Sequence, residues 1–175
     1  MNRLRNQRCY LSGAMEFLSD FGADWRKKIR NDLESLGIVF LDPTDKPIDV
    51  LDEPTLLANI KRARETGDYD SIASDVKLIR HLDLRMVDIS DMLIVNLDLT
   101  VPTCGTWEEV FTANKSKKPV LIRMVQGKAA TPAWLFGAVP HQMIFSTWEE
   151  IYDHLYKVDS GEETISYNRW LFFDL

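Results

Sequence analysis

Two places in this chain put carboxylates where chemistry can use them. The first lies in Asp91 to Ile122, DMLIVNLDLTVPTCGTWEEVFTANKSKKPVLI. Met92 to Leu97 is a short apolar run of the kind that forms a buried strand. A Thr-, Pro- and Gly-rich loop follows from Thr100 to Thr106, and Trp107 to Ser116 then reads as a helix. That reading places Glu108 and Glu109 in its first turn and Lys115, Lys117 and Lys118 at its end, as the helix dipole favours. Pro119 stops the helix and Val120 to Ile122 begins another strand. Open α/β sheets bind ligands at the carboxyl ends of their strands. A first-turn carboxylate there is kept ionised by the helix amides and is a candidate nucleophile. Acidic first turns are also ordinary helix starts.

The second carboxylate is Asp83. Ile72 to Ile89 reads as a long helix whose stripe is Ile72, Val76, Ile79, Met86 and Val87. Asp83 follows Ile79 by four residues and precedes Met86 and Val87 by three and four, so it projects from the apolar side. Asp75 and Asp88 fall on the wet face. A carboxylate on a core-facing stripe needs a bonding partner or a pocket.

The remaining elements supply the frame. Arg8 to Ser12 reads as the first strand, with Gly13 opening an exit loop that a ligand can approach closely. Asp24 to Leu36 is a helix on the spacing of Trp25, Ile29, Leu33 and Leu36, closed by Gly37. Ile38 to Leu41 is a second strand. Thr44 to Asp70, broken by Pro47 and Pro54, holds a short helix over Thr55 to Thr66; it is either a solvated connection or a flap over the crevice. Val125 to His141 reads mostly as loop, with Trp134-Leu135-Phe136 as a core plug or a subunit contact. Gln142 to Phe145 is a fifth strand, and Thr147 caps a last helix running to about Val158. The tail from Asp159, ending RWLFFDL, is expected to dock on the domain or on a neighbouring chain. Strand and helix alternate throughout. The expected architecture is a single α/β domain over residues 1–175, flavodoxin-like or Rossmann-like, with a five-stranded parallel sheet and helices on both faces.

Composition narrows the function classes. The 175 residues carry 27 Asp plus Glu against 21 Lys plus Arg, and a net charge of -6 gives no footprint for duplex nucleic acid. No apolar run reaches the length of a membrane span. The basic start MNRLRNQR lacks the apolar stretch of a signal peptide, and two cysteines fit a reducing compartment; a cytoplasmic protein is expected. His81, His141 and His154 show no metal-ligand spacing, and no GxGxxG, GxxxxGK[ST] or GxSxG motif is present. Cys104, before Gly105, reads as a small loop residue.

Tyr10-Leu11-Ser12-Gly13, then Asp83, then Gly105-Thr106-Trp107-Glu108-Glu109 with Ala113, together resemble the nucleoside 2-deoxyribosyltransferase superfamily. That group includes the deoxynucleoside 5'-monophosphate N-glycosidases. The likeness runs from about Tyr10 to Ile122 and looks closest to a branch found often in phages and bacteria. In the register it implies, Glu109 is the nucleophile, Asp83 the acid that assists the leaving base, and Tyr10 the residue that orients Glu109. Ser12, Gly13, Thr103, Gly105 and Thr106 fall at substrate-binding positions. The implied substrate is a nucleoside or nucleotide, with a free nucleobase as partner, no metal or organic cofactor, and a homo-oligomeric assembly.

The chemistry suits these residues. Breaking an N-glycosidic bond builds oxocarbenium-like charge, which a carboxylate on the face opposite the base can stabilise or capture. Transfer to a second base makes a transferase, and transfer to water a hydrolase. Thr103, six residues before Glu109, stands where transferases commonly carry Asp and the monophosphate enzymes Ser; a neutral hydroxyl tolerates a phosphate better. The Gly- and Arg-containing stretch of the monophosphate enzymes is replaced by AMEFLSDFG, and PAWLFGAV lacks the Asn that transferases lend to a neighbouring subunit. A non-catalytic nucleotide-binding module and an interaction protein are the rival readings. An intact Tyr10, Asp83 and Glu109 set favours the enzyme.

Overall fold

The computed structural model describes residues 2–46, 53–163 and 169–173. Pro47, and with it part of the expected flap, lies outside the described residues, as do the last two positions of the tail.

Five parallel strands form one sheet in the order β2-β1-β3-β4-β5. They are β1 (Arg8–Gly13), β2 (Val39–Leu41), β3 (Met92–Leu97), β4 (Val120–Met124) and β5 (Ile144–Phe145). The helices are α1 (Ala23–Asp32), α2 (Glu53–Thr66), α3 (Tyr69–Ile89), α4 (Cys104–Lys115), α5 (Ala133–Ala138) and α6 (Trp148–Ser160). The expected α/β class holds.

β3 is central because it can be covered on both faces: Met92, Leu93, Ile94, Val95 and Leu97 are all fully buried. Its one polar residue, Asn96, lies at the carboxyl end and accepts a 2.9 Å hydrogen bond from Arg123 Nη1 of β4. Alternation along β1 then assigns the faces. Tyr10 and Ser12 point toward α4. On the other side, a Cβ at Gly13 would come within 2.9 Å of the Trp25 ring of α1. Trp25 stacks on Trp148 at 5.5 Å, which puts α6 on the α1 face.

Several expected boundaries move, each for a local reason. The helix expected over Asp24 to Leu36 is α-helical only to Asp32; Glu34–Leu36 tightens into a 3-10 turn, closed by Gly37 at φ 64. α3 starts at Tyr69, because the Asp68 side chain caps it by accepting from Ser71 N at 3.1 Å. Val76 does not join the buried stripe, being 41% exposed, whereas Val87 is fully buried. The carbonyls at the α3 exit are collected by Lys118 Nζ, which donates to Val87 O, Asp88 O and Ser90 O at 2.6–2.7 Å. The loop after β4 contains α5, which buries Leu135 and leaves Trp134 82% exposed. β5 is two residues long because His141–Met143 before it forms a 3-10 turn. α6 begins in a full capping box between Thr147 and Glu150. Among the described residues no helix is long and apolar enough to cross a membrane.

Candidate active site

α4 begins at Cys104, three residues before the expected Trp107, with Thr103 as its N-cap. Cys104 is therefore the exposed first residue of a helix and not a loop residue. Glu109 accordingly sits in the second turn, with no acidic residue in the first. The expectation that helix-end amides keep it ionised is overturned. Its residue is 8% exposed, and burial pushes its carboxyl up to about 7. The charge of Asp83 pushes the same way, while hydrogen bonds from Ser12 and Tyr10 and the charge of Arg26 pull it down.

Those two hydrogen bonds define the geometry. Tyr10 Oη donates to Glu109 Oε1 at 2.9 Å, and Ser12 Oγ donates to Oε2 at 2.5 Å. Tyr10 and Ser12 are two apart on β1, so one strand face delivers both donors, one to each carboxylate oxygen. Tyr10 is 1% exposed and Ser12 fully buried, so the clamp is rigid. Burial, followed by the neighbouring carboxylates, drives the Tyr10 phenol well above its ordinary range, and it stays a donor.

Asp83 reaches the same region from α3. Its Oδ1 lies 2.8 Å from Lys46 Nζ, with the two side chains 13% and 6% exposed respectively. Burial raises the Asp83 carboxyl, and Lys46 opposes that by charge and hydrogen bond. The charge of Asp83 acts on Tyr10, Glu109 and Arg26 alike. Next to Glu109 in the chain, Glu108 receives a two-pronged ion pair from Arg80, Nε to Oε2 at 2.7 Å and Nη2 to Oε1, joining α4 to α3. The pair is solvent-exposed and worth little energy.

The other positions expected to bind substrate divide. Thr103 Oγ1 donates to Thr106 Oγ1 across the first turn of α4, and Thr106 is buried. Gly105 stands between them, with nothing within 4 Å of an added Cβ. Gly13 ends β1, and its lack of a side chain makes room for Trp25. That contact, rather than the approach of a ligand, is the constraint visible there.

Two residues escape the sequence reading. Arg26 is fully buried and donates from Nε to Leu11 O, from Nη2 to Gly13 O, and from Nη1 to Phe21 O and Gly22 O, at 2.9–3.1 Å. It grips the carbonyls on both sides of Ser12 and so holds the clamp in shape. Its signal was available, since residues 26, 29 and 33 share a helix face. Lys46 follows β2 by five residues, at the ligand-binding end of a strand, which is the only sequence cue to it.

No protein-family model matches the chain, and no curated protein matches it. Solved structures do. The 2-deoxyribosyltransferase from Bacillus psychrosaccharolyticus superposes with a TM-score of 0.56 at 15% identity, over 82% of this chain and 89% of that one. A 2-desoxiribosyltransferase from Leishmania mexicana aligns at a TM-score of 0.48 and 20% identity, over 69% of this chain. The chain spans 66% of that protein's length, just under two thirds. At such identities the likeness is one of fold, and it agrees with the resemblance carried by YLSG, Asp83 and GTWEE. The chain has the fold of the 2-deoxyribosyltransferases, a five-stranded parallel flavodoxin-like sheet with its acid-bearing helices α3 and α4 over β1 and β3.

Proposed function

We propose that this protein cleaves the N-glycosidic bond of a 2'-deoxynucleoside or its 5'-monophosphate through a glycosyl intermediate on Glu109. The single observation that supports this best is the clamped carboxylate: one buried Glu, each oxygen held by its own β1 hydroxyl. Such a group is aimed and desolvated, as a carboxylate nucleophile requires. Glu109 attacks C1' from one face as the C1'–N bond breaks on the other. Asp83 delivers a proton or hydrogen bond to the departing base. A second base, or water, then takes the sugar from Glu109 and restores the carboxylate. Substrates of nucleoside type also accord with the Bacillus enzyme's description as a biocatalyst for nucleoside synthesis. Thr103 at the α4 N-cap favours the 5'-monophosphate, since no carboxylate there repels a phosphate.

The test is to incubate the protein with a panel of nucleosides and monophosphates and follow free base by chromatography. A second free base added to the mixture separates transfer from hydrolysis. Glu109→Gln is expected to abolish base release, and mass measurement of the wild-type protein with substrate to reveal a glycosyl adduct on Glu109. Base release undiminished in Glu109→Gln would rule the mechanism out.

A further inference from the structure

Lys46 belongs to no motif and has no part in the reaction as drawn above, yet its side chain is only 6% exposed. A lysine withdrawn that far from water loses most of its hydration, which a counter-charge must offset. One such counter-charge is Asp83, 2.8 Å away. This contact joins two parts remote in the chain: Lys46 comes from the loop after β2, Asp83 from α3.

The groups around Asp83 come from four elements. Lys46 touches it; the charges of Arg26 on α1, Glu109 on α4 and Tyr10 on β1 are coupled to it. Arg26 is committed to four backbone carbonyls and to Asp42, at 3.8 Å. Lys46 is therefore the cation in direct contact with this acid. Two acids in one dry region cannot both ionise freely, and a cation beside one of them decides which keeps the proton.

We propose that Lys46 is a positioning residue for that proton: it holds Asp83 as a carboxylate in the unloaded site and so directs the proton the two acids share onto Glu109. The resting site is thereby the reverse of the working one, in which Glu109 is the anion and Asp83 the donor. The proposal rests on the two-acid reading above, but its first test needs no turnover.

That test is a carbon-detected NMR titration of the Asp83 and Glu109 side-chain carboxyls, without substrate, in the wild-type protein and in Lys46→Met. Loss of the cation is expected to move the Asp83 midpoint up. A neutral Asp83 no longer repels charge on Glu109, so the Glu109 midpoint is expected to fall below about 7. Lys46→Arg, which keeps the charge, is expected to return both midpoints toward wild type. An Asp83 midpoint unmoved in Lys46→Met overturns the proposal, and a Glu109 midpoint that fails to fall overturns the shared proton. Should Lys46→Met not fold, Asp83→Asn decides: it removes the competing charge, so Glu109 must again titrate lower, and an unchanged midpoint refutes the coupling. The turnover arm uses a substrate whose base leaves without a proton. Its rate depends on Glu109 alone, and its rising limb is expected at lower pH in Lys46→Met. Titrations that move as expected in a protein that releases no base would retain Lys46's role and discard the reaction.

Discussion

Glu109 carries a cost that pH exposes. Its folded carboxyl titrates at about 7, against an ordinary value of 4.5. A raised acid stabilises the fold fully below the ordinary value, and that contribution is lost as pH climbs through the folded one. The gap corresponds to roughly 3 kcal/mol, all of it forfeited above neutrality. Glu109→Gln carries no such penalty. Its melting temperature is expected to exceed wild type by several degrees at pH 8 and by much less at pH 5, at about 2–4 °C per kcal/mol. Equal differences at the two pH values would show that Glu109 titrates normally. The proposed reaction runs the opposite way: with an activated leaving base, its rate is expected to rise as pH passes about 7 and the carboxylate forms. Tyr10→Phe removes one of the two donors to Glu109. A hydrogen bond to a charged group is worth about 1.5–3 kcal/mol, so kcat/KM is expected to fall about 10- to 100-fold. The rising limb should move to higher pH, because a carboxylate with fewer donors holds its proton longer. Asp83 is legible from the sequence alone, since helical periodicity makes a carboxylate on an apolar stripe conspicuous. Lys46 is not, because a lysine in a polar loop looks solvated until the chain folds it onto an acid on a remote helix.

At the scale of elements, α1 does more than cover the sheet. Its Arg26 replaces solvent for four backbone carbonyls at the tip of β1 and the loop beyond. Arg26→Met strands those carbonyls and leaves Asp42 without its buried guanidinium partner. The expected loss is roughly 3–5 kcal/mol, read as a lower urea midpoint at unchanged slope. Arg26→Lys is expected to recover little, because a single ammonium cannot span carbonyls that a planar fork reaches at once. A Lys variant as stable as wild type would show that charge alone matters there. The strands β1, β3 and β4 are legible because buried parallel strands read as continuous apolar runs. The start of α4 is not, because Cys104 and Gly105 are poor helix formers and only the turn geometry at Thr103 brings them into the helix. That three-residue displacement changes the chemistry inferred for Glu109, from a carboxylate eased by helix-end amides to one raised by burial.

Across the whole molecule, the two ends of the described chain close on each other. Leu4 N donates to Asp159 Oδ1 at 2.9 Å, and the Arg3 guanidinium lies 5.6 Å from the centre of the Phe173 ring. Trp170 is 1% exposed, packed with Phe173 at 5.9 Å and with His154 at 6.1 Å. Burial in that setting pushes His154 below the usual histidine range. Trp170→Ala is expected to cost about 3–5 kcal/mol, measured as a fall in melting temperature. A change under a degree would mean that the aromatic cluster bears no weight. Such a cluster is foreseeable from its composition, but its seat against α6 depends on contacts between remote parts of the chain. The sheet has one more property at this scale. Its outermost strands, Val39–Leu41 and Ile144–Phe145, are three and two residues long. Rims so short offer almost no backbone for a second molecule to zip onto. Concentration or storage is therefore expected to leave the protein free of sheet-rich fibres, which a fibril-binding dye would check.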